Sequence, residues 1–104
     1  MQVFLERKKS DVEAIGEFDL KTKELKVLKG SKLSKDIAFS PTFRGAGSIE
    51  KRRKGKVINN ILQEDVLFNS PSTASNFVTG RSTNGLTLWK NKDGKNIKEL
   101  INEG

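Results

Sequence analysis

The chain has 104 residues, with 20 lysines and arginines against 13 aspartates and glutamates, and a formal net charge of +7. Hydrophobic residues make up 34% and charged residues 32%, so one small domain with a lean core is expected, burying roughly two-thirds of its unfolded surface. Cysteine, histidine and tyrosine are absent, which excludes a disulfide framework, a thiolate metal site and a histidine general base.

Val3-Phe4-Leu5 is a short apolar run that reads as an edge strand. Val12, Ala14, Gly16 and Phe18 alternate with Glu13, Ile15 and Glu17, a second strand. Gly16 inside it signals a bulge or a close backbone approach. Asp19 to Lys23 is a charged hairpin loop, and Leu25 and Val27 mark a third strand ending at Gly30-Ser31. The connections are too short for crossovers, so the three strands form an antiparallel meander. Ile37, Ala38 and Phe39 anchor an irregular stretch that closes on a Ser40-Pro41 turn.

Ser48 is placed to cap a short helix over Ile49 to Lys54, stopped by Gly55. Ile49 is its only apolar residue, so the helix should lie on the surface with its basic face outward. Val57, Ile58, Ile61 and Leu62 fit either a helix or a tiny hairpin about Asn59-Asn60. The β-branched run and the tolerance of asparagine for positive φ favour the hairpin. Val66-Leu67-Phe68 is a short buried run.

Ser70-Pro71 is a strong helix start, since the hydroxyl can cap a free N–H and proline at the first position gives up an N–H that had no partner. Ala74, Phe77 and Val78 give this helix an apolar face, and Gly80 can end it. Asn84-Gly85 signals a turn, after which Leu86 and Leu88 alternate with Thr87 and Trp89 as a further strand. Asn91 to Gly94 is a turn, and Asn96 with Glu99 resembles the capping box of a C-terminal helix carrying Ile97, Leu100 and Ile101. The fold class is therefore a small α+β single domain over residues 1–104: an N-terminal antiparallel β-meander, a short basic helix, a Ser-Pro-capped helix, a further strand and a C-terminal helix. Phe18, Phe68 and Phe77 are expected in its core. No apolar run approaches the ~20 residues of a membrane span, and the N-terminus lacks a signal-peptide core. The expectation is a soluble cytoplasmic protein.

The positive charge is concentrated. Residues 44–56 hold six cations (Arg44, Lys51, Arg52, Arg53, Lys54 and Lys56) against Glu50, while residues 57–104 are neutral overall. A focused basic segment suits a polyanion, with arginine pairing bidentately with phosphate and lysine acting as a point charge. The bland alternative is a solvated helix face. Ser70, Ser72 and Thr73 at the Ser-Pro helix start form a candidate anion site, and Arg81 and Asn84 are candidate base contacts. Capping and turn formation also account for these five residues. Catalysis is not expected. Glu64-Asp65 is the only adjacent carboxylate pair, and neighbours on a strand point to opposite sides. Gly55-Lys56 fails as a phosphate loop, with Val57 where Ser or Thr is needed and Glu50 where the first glycine should be. No cofactor or metal is expected.

Ser70-Pro71-Ser72-Thr73-Ala74-Ser75, Val78-Thr79-Gly80-Arg81-Ser82-Thr83-Asn84-Gly85 and Trp89-Lys90 with Asp93-Gly94-Lys95 resemble a long ordered signature, SPSaAA…vlGrsaNGw..Wk..dGk. It is that of the bacterial domain-of-unknown-function family 4357, which is similar to the RAMA (restriction- and methylase-associated) domain. Upstream, Val12 to Gly16 and Val27 to Ser31 are similar to further family stretches, so the resemblance covers roughly residues 12–100. Leu86 departs from it where the family has tryptophan. The resemblance implies a DNA-recognition module, able to read modified DNA, appended to GIY-YIG nuclease-type domains or restriction-system methylases. The expected function is a non-catalytic nucleic-acid-binding accessory module, with duplex DNA and an associated nuclease or methylase as partners. The alternative is a protein-interaction module docking through an apolar patch near Trp89.

Overall fold

The computed structural model describes residues 1–39, 43 and 45–103. The chain order is β1 (Gln2–Arg7), β2 (Val12–Phe18), β3 (Leu25–Val27), α1 (Ala46–Arg53), β4 (Val57–Ile58), β5 (Ile61–Leu62), β6 (Val66–Phe68), α2 (Pro71–Thr79), α3 (Gly85–Leu88) and α4 (Ile97–Glu103). This is an α+β domain. A four-stranded antiparallel sheet has the order β1-β2-β3-β6, and β4-β5 form a separate hairpin.

The meander follows the sequence reading. Strict alternation along β2 buries Val12, Ala14, Gly16 and Phe18 and exposes Glu13, Ile15 and Glu17. Gly16 marks a close approach: a Cβ there would lie 2.8 Å from Leu25 and 3.4 Å from the Trp89 ring. Asn59 and Asn60 both take positive φ, at 51° and 67°, which settles β4-β5 as a hairpin. The run Val66 to Phe68 goes further than expected. It pairs antiparallel with β3 and completes the sheet, burying Val66 and Phe68 but leaving Leu67 51% exposed.

The helices cover the inner face of the sheet. Val3, Leu5, Phe18, Leu25, Val27 and Phe68 meet Ala74, Phe77, Val78 and Trp89 there in one core. The rings of Phe68 and Phe77 lie 4.9 Å apart. Ser70 caps α2 by accepting from Thr73 N, Pro71 fills its first turn, and Gly80 ends it at φ +70. A Cβ at Gly80 would come within 2.4 Å of the Asp36 carbonyl, so both conformation and space demand glycine.

Two local expectations change. Helix α1 begins at Ala46 rather than after Ser48, its N-cap is Gly45, and Ser48 lies within it. The stretch after Asn84-Gly85 is a short helix, α3, rather than a strand; Asn84 caps it by accepting from Leu86 N. Alternation of Leu86, Thr87, Leu88 and Trp89 over four residues cannot distinguish a strand from one helical turn, and here the cap decides. The strand-like pairing falls just beyond, where Lys90 and Phe4 exchange backbone hydrogen bonds of 2.7 and 2.9 Å. The Ser40-Pro41 turn lies outside the described residues.

Candidate nucleic-acid interface

The basic segment divides into cations that build the fold and cations that face solvent. Arg53 belongs to the first group. Its Nη2 and Nε donate to the Phe77 carbonyl at 2.7 and 3.1 Å, and Nη1 donates to the Ser34 carbonyl at 2.8 Å. Nη2 also reaches Ser34 Oγ at 3.0 Å. Burial pushes this guanidinium down to about 10, which still leaves it charged at neutral pH. The carbonyls at the end of α2 are therefore satisfied by Arg53 from α1. Arg52 donates to the Leu67 carbonyl at 2.8 Å and lies 4.5 Å over the Phe68 ring. The expected outward-facing basic face thus loses its two arginines to packing.

Lys51 on the helix and Lys54 at its C-cap remain exposed, and among the described residues neither forms an ion pair. Lys56 is half-buried and stands 3.8 Å from Glu64. Arg44 lies outside the described residues.

The Ser-Pro cluster is heavily engaged. Ser70 Oγ accepts from Thr73 N at 3.1 Å and meets Thr73 Oγ1 at 2.8 Å. Ser72 Oγ accepts from Gly85 N at 3.0 Å, and Asn84 Oδ1 accepts from Leu86 N at 3.0 Å. The first and last of these cap α2 and α3, and the Ser72–Gly85 bond stitches the two helices together. Trp89 completes the join, donating from Nε1 to the Pro71 carbonyl at 3.1 Å with 0% of its surface exposed. It offers no surface for docking.

Arg81 is exposed beside the end of α2. It shares a polar concavity of about 320 Å³ with Lys9, Lys35, Ser34, Asp11 and Asp36. Lys9 and Lys35 escaped the sequence reading. Lys9 ends the short Arg7-Lys8-Lys9 run and Lys35 lies far from it in the chain, and only the fold brings them to Arg81. A smaller hollow of about 200 Å³ between α1 and α2 is lined by Ser48, Ile49, Arg52, Phe68, Thr73 and Asn76.

Among the described residues, no cluster of three or more acidic side chains could hold a metal ion, and no helix is long and apolar enough to cross a membrane. The arrangement defines a small α+β module with a short lysine-bearing helix fastened to its core by two arginines. Residues 5–101 match the model of a family described as a domain of unknown function (DUF4357), and the chain belongs to that family. The match starts at Leu5, so it takes in the end of β1 ahead of the residue-12 boundary expected from motifs. No curated protein and no solved structure matches the chain.

Proposed function

We propose that the domain is a non-catalytic nucleic-acid-binding module, acting in the cytoplasm on duplex DNA and delivering an associated nuclease or methylase to it. The observation that carries this reading is the mounting of α1. Arg52 and Arg53 fix the helix to the carbonyls of Leu67, Phe77 and Ser34, while Lys51 on its last turn and Lys54 at its C-cap are exposed. Two lysines held on a rigid element can follow a phosphate backbone at little further entropic cost. Lys56, Arg44 and the Lys9–Lys35–Arg81 group are the further candidate contacts. The resemblance to modules attached to nucleases and methylases supports the same direction.

A fluorescence-anisotropy titration of labelled duplex DNA at two salt concentrations tests the proposal. Neutralisation of about four phosphates gives a log–log salt slope on the order of −3.6. Lys51→Glu combined with Lys54→Glu should abolish binding without changing the unfolding midpoint. No binding at low salt, or unchanged binding by the double variant, overturns the reading.

A further inference from the structure

The concavity beside the end of α2 gathers charge that the fold does not use. Lys9 lines it from the β1–β2 turn, Lys35 from the segment after β3, and Arg81 from the residue after Gly80. All three are exposed, and among the described residues none of their side chains makes an ion pair or a hydrogen bond. Like charges brought together from three parts of the chain repel unless an anion lies among them. Two carboxylates share the lining. Asp11 is committed to Lys32 at 2.5 Å, whereas Asp36 has no cation partner among the described residues.

A fourth positive charge stands behind the lining. Ser34 is 3% exposed, and Arg53 donates to its carbonyl at 2.8 Å and reaches its hydroxyl at 3.0 Å. Among the described residues no carboxylate lies within 4.0 Å of Arg53. The end of α2 also borders the concavity, and free carbonyls there would repel an anion. They are occupied. Phe77 accepts from Arg53 at 2.7 Å, Val78 from Ser34 N at 2.9 Å and Gly80 from Ala38 N at 2.7 Å.

We propose that this concavity binds a phosphate monoester through Lys9, Lys35 and Arg81, presented by the end of a nucleic-acid strand or by a small phosphorylated molecule. A monoester fits better than an internal phosphodiester. It carries close to two negative charges at neutral pH and three terminal oxygens, so cations converging from separate segments can each take one. A diester carries one charge and comes in a row, which suits Lys51 and Lys54 instead. The volume of about 320 Å³ equals the share of roughly ten water molecules, room for the phosphate and part of the group that bears it. The site uses neither lysine of the α1 segment and does not rest on the nucleic-acid reading.

The test titrates the whole isotope-labelled chain with inorganic phosphate and with phenyl phosphate, at ionic strength held constant with chloride, and follows the backbone amide resonances. Saturating shifts should fall on residues 9–11, 34–36 and 79–81. Lys35→Gln combined with Arg81→Gln should weaken binding at least about tenfold, with the unfolding midpoint unchanged. Asp36→Asn should tighten it about twofold or more, an effect that a merely structural role does not produce. Lys51→Glu combined with Lys54→Glu should leave it unchanged, so the failure of this site and that of the DNA interface are separate results. Single strands ending in a phosphate or in a hydroxyl distinguish the sources. A preference for the phosphorylated end, lost in the Lys35 and Arg81 variant, assigns a strand end. Equal binding of the two strands beside saturable phenyl phosphate assigns a small molecule. Shifts that do not saturate or that spread over lysines elsewhere, binding that survives the double glutamine variant, or no gain in Asp36→Asn overturns the proposal.

Discussion

Arg53 holds the carbonyl of Phe77 through two of its nitrogens, at 2.7 and 3.1 Å, and so joins the end of α1 to the last turn of α2. A residue in a run of four cations thereby becomes a strut. Arg53→Ala leaves the Phe77 and Ser34 carbonyls without their charged donor and should cost about 2–3 kcal/mol. Arg53→Lys should restore only part, since a point charge cannot serve carbonyls on two sides. Urea denaturation measures both, and an unchanged midpoint for the alanine variant would remove the strut.

Lys51 and Lys54, at the end of α1, should behave in the opposite way. Lys51→Ala and Lys54→Ala, alone or together, should leave the urea midpoint within about 0.5 kcal/mol of the parent. Each should reduce the salt slope of DNA binding by about one. A slope that stays constant across the variants would place the phosphates elsewhere.

Glycines on the two helical segments should respond with opposite signs. A Cβ at Gly85 would lie 2.1 Å from the Pro71 carbonyl oxygen, whereas one at Gly47 meets nothing within 4 Å. Gly85→Ala should therefore destabilise by about 3 kcal/mol. Gly47→Ala, in the first turn of α1, should stabilise by about 0.5 kcal/mol. Thermal unfolding followed by circular dichroism reads both, and equal shifts would contradict the packing of α3 on α2.

Phe77 is 1% exposed between the sheet and α1, and Phe77→Ala should cost about 3–5 kcal/mol. Ser70→Ala removes one cap and should cost about 1 kcal/mol. A loss below 1 kcal/mol for the phenylalanine in chemical denaturation would displace it from the core.

Asp19 contributes to the acid end of the stability profile. Its carboxylate accepts from Lys21 N and Thr22 N, which holds its pKa below the ordinary 3.8. A depressed carboxyl contributes stability above its unfolded pKa and loses it as pH falls through the folded value. The carboxyl resonance of Asp19 should titrate below 3.8, and Asp19→Asn should flatten the stability profile in that acid range. Titration at or above 3.8 would mean the loop bonds are not formed in solution.

Elements whose logic is local were readable from sequence. The alternation along β2, the asparagine pair of the β4-β5 hairpin and the Ser70-Pro71 start of α2 each depend on neighbours in the chain, and each forms as expected. What depends on distant contacts was hidden. Leu86 to Trp89 alternates like a strand, but Gly85 is pressed against Pro71 and Asn84 caps the turn, so it coils. The charge run at 51–54 showed a basic helix but not which cations face inward. That division depends on carbonyls up to 24 residues away, as Arg53 and Phe77 demonstrate. The joining of β6 to β3 is hidden for the same reason, since nothing near Val66 specifies its partner.

The buried position of Trp89 also equips the protein with a native optical reporter. With no tyrosine in the chain, near-ultraviolet emission comes almost entirely from this one indole, held between Gly16 and the Pro71 carbonyl. Its spectrum should be blue-shifted in the native state and move to the red in a single step when the α2-α3 join opens. Ligands arriving at α1 should leave it silent, so a spectral change during a titration signals rearranged packing rather than contact.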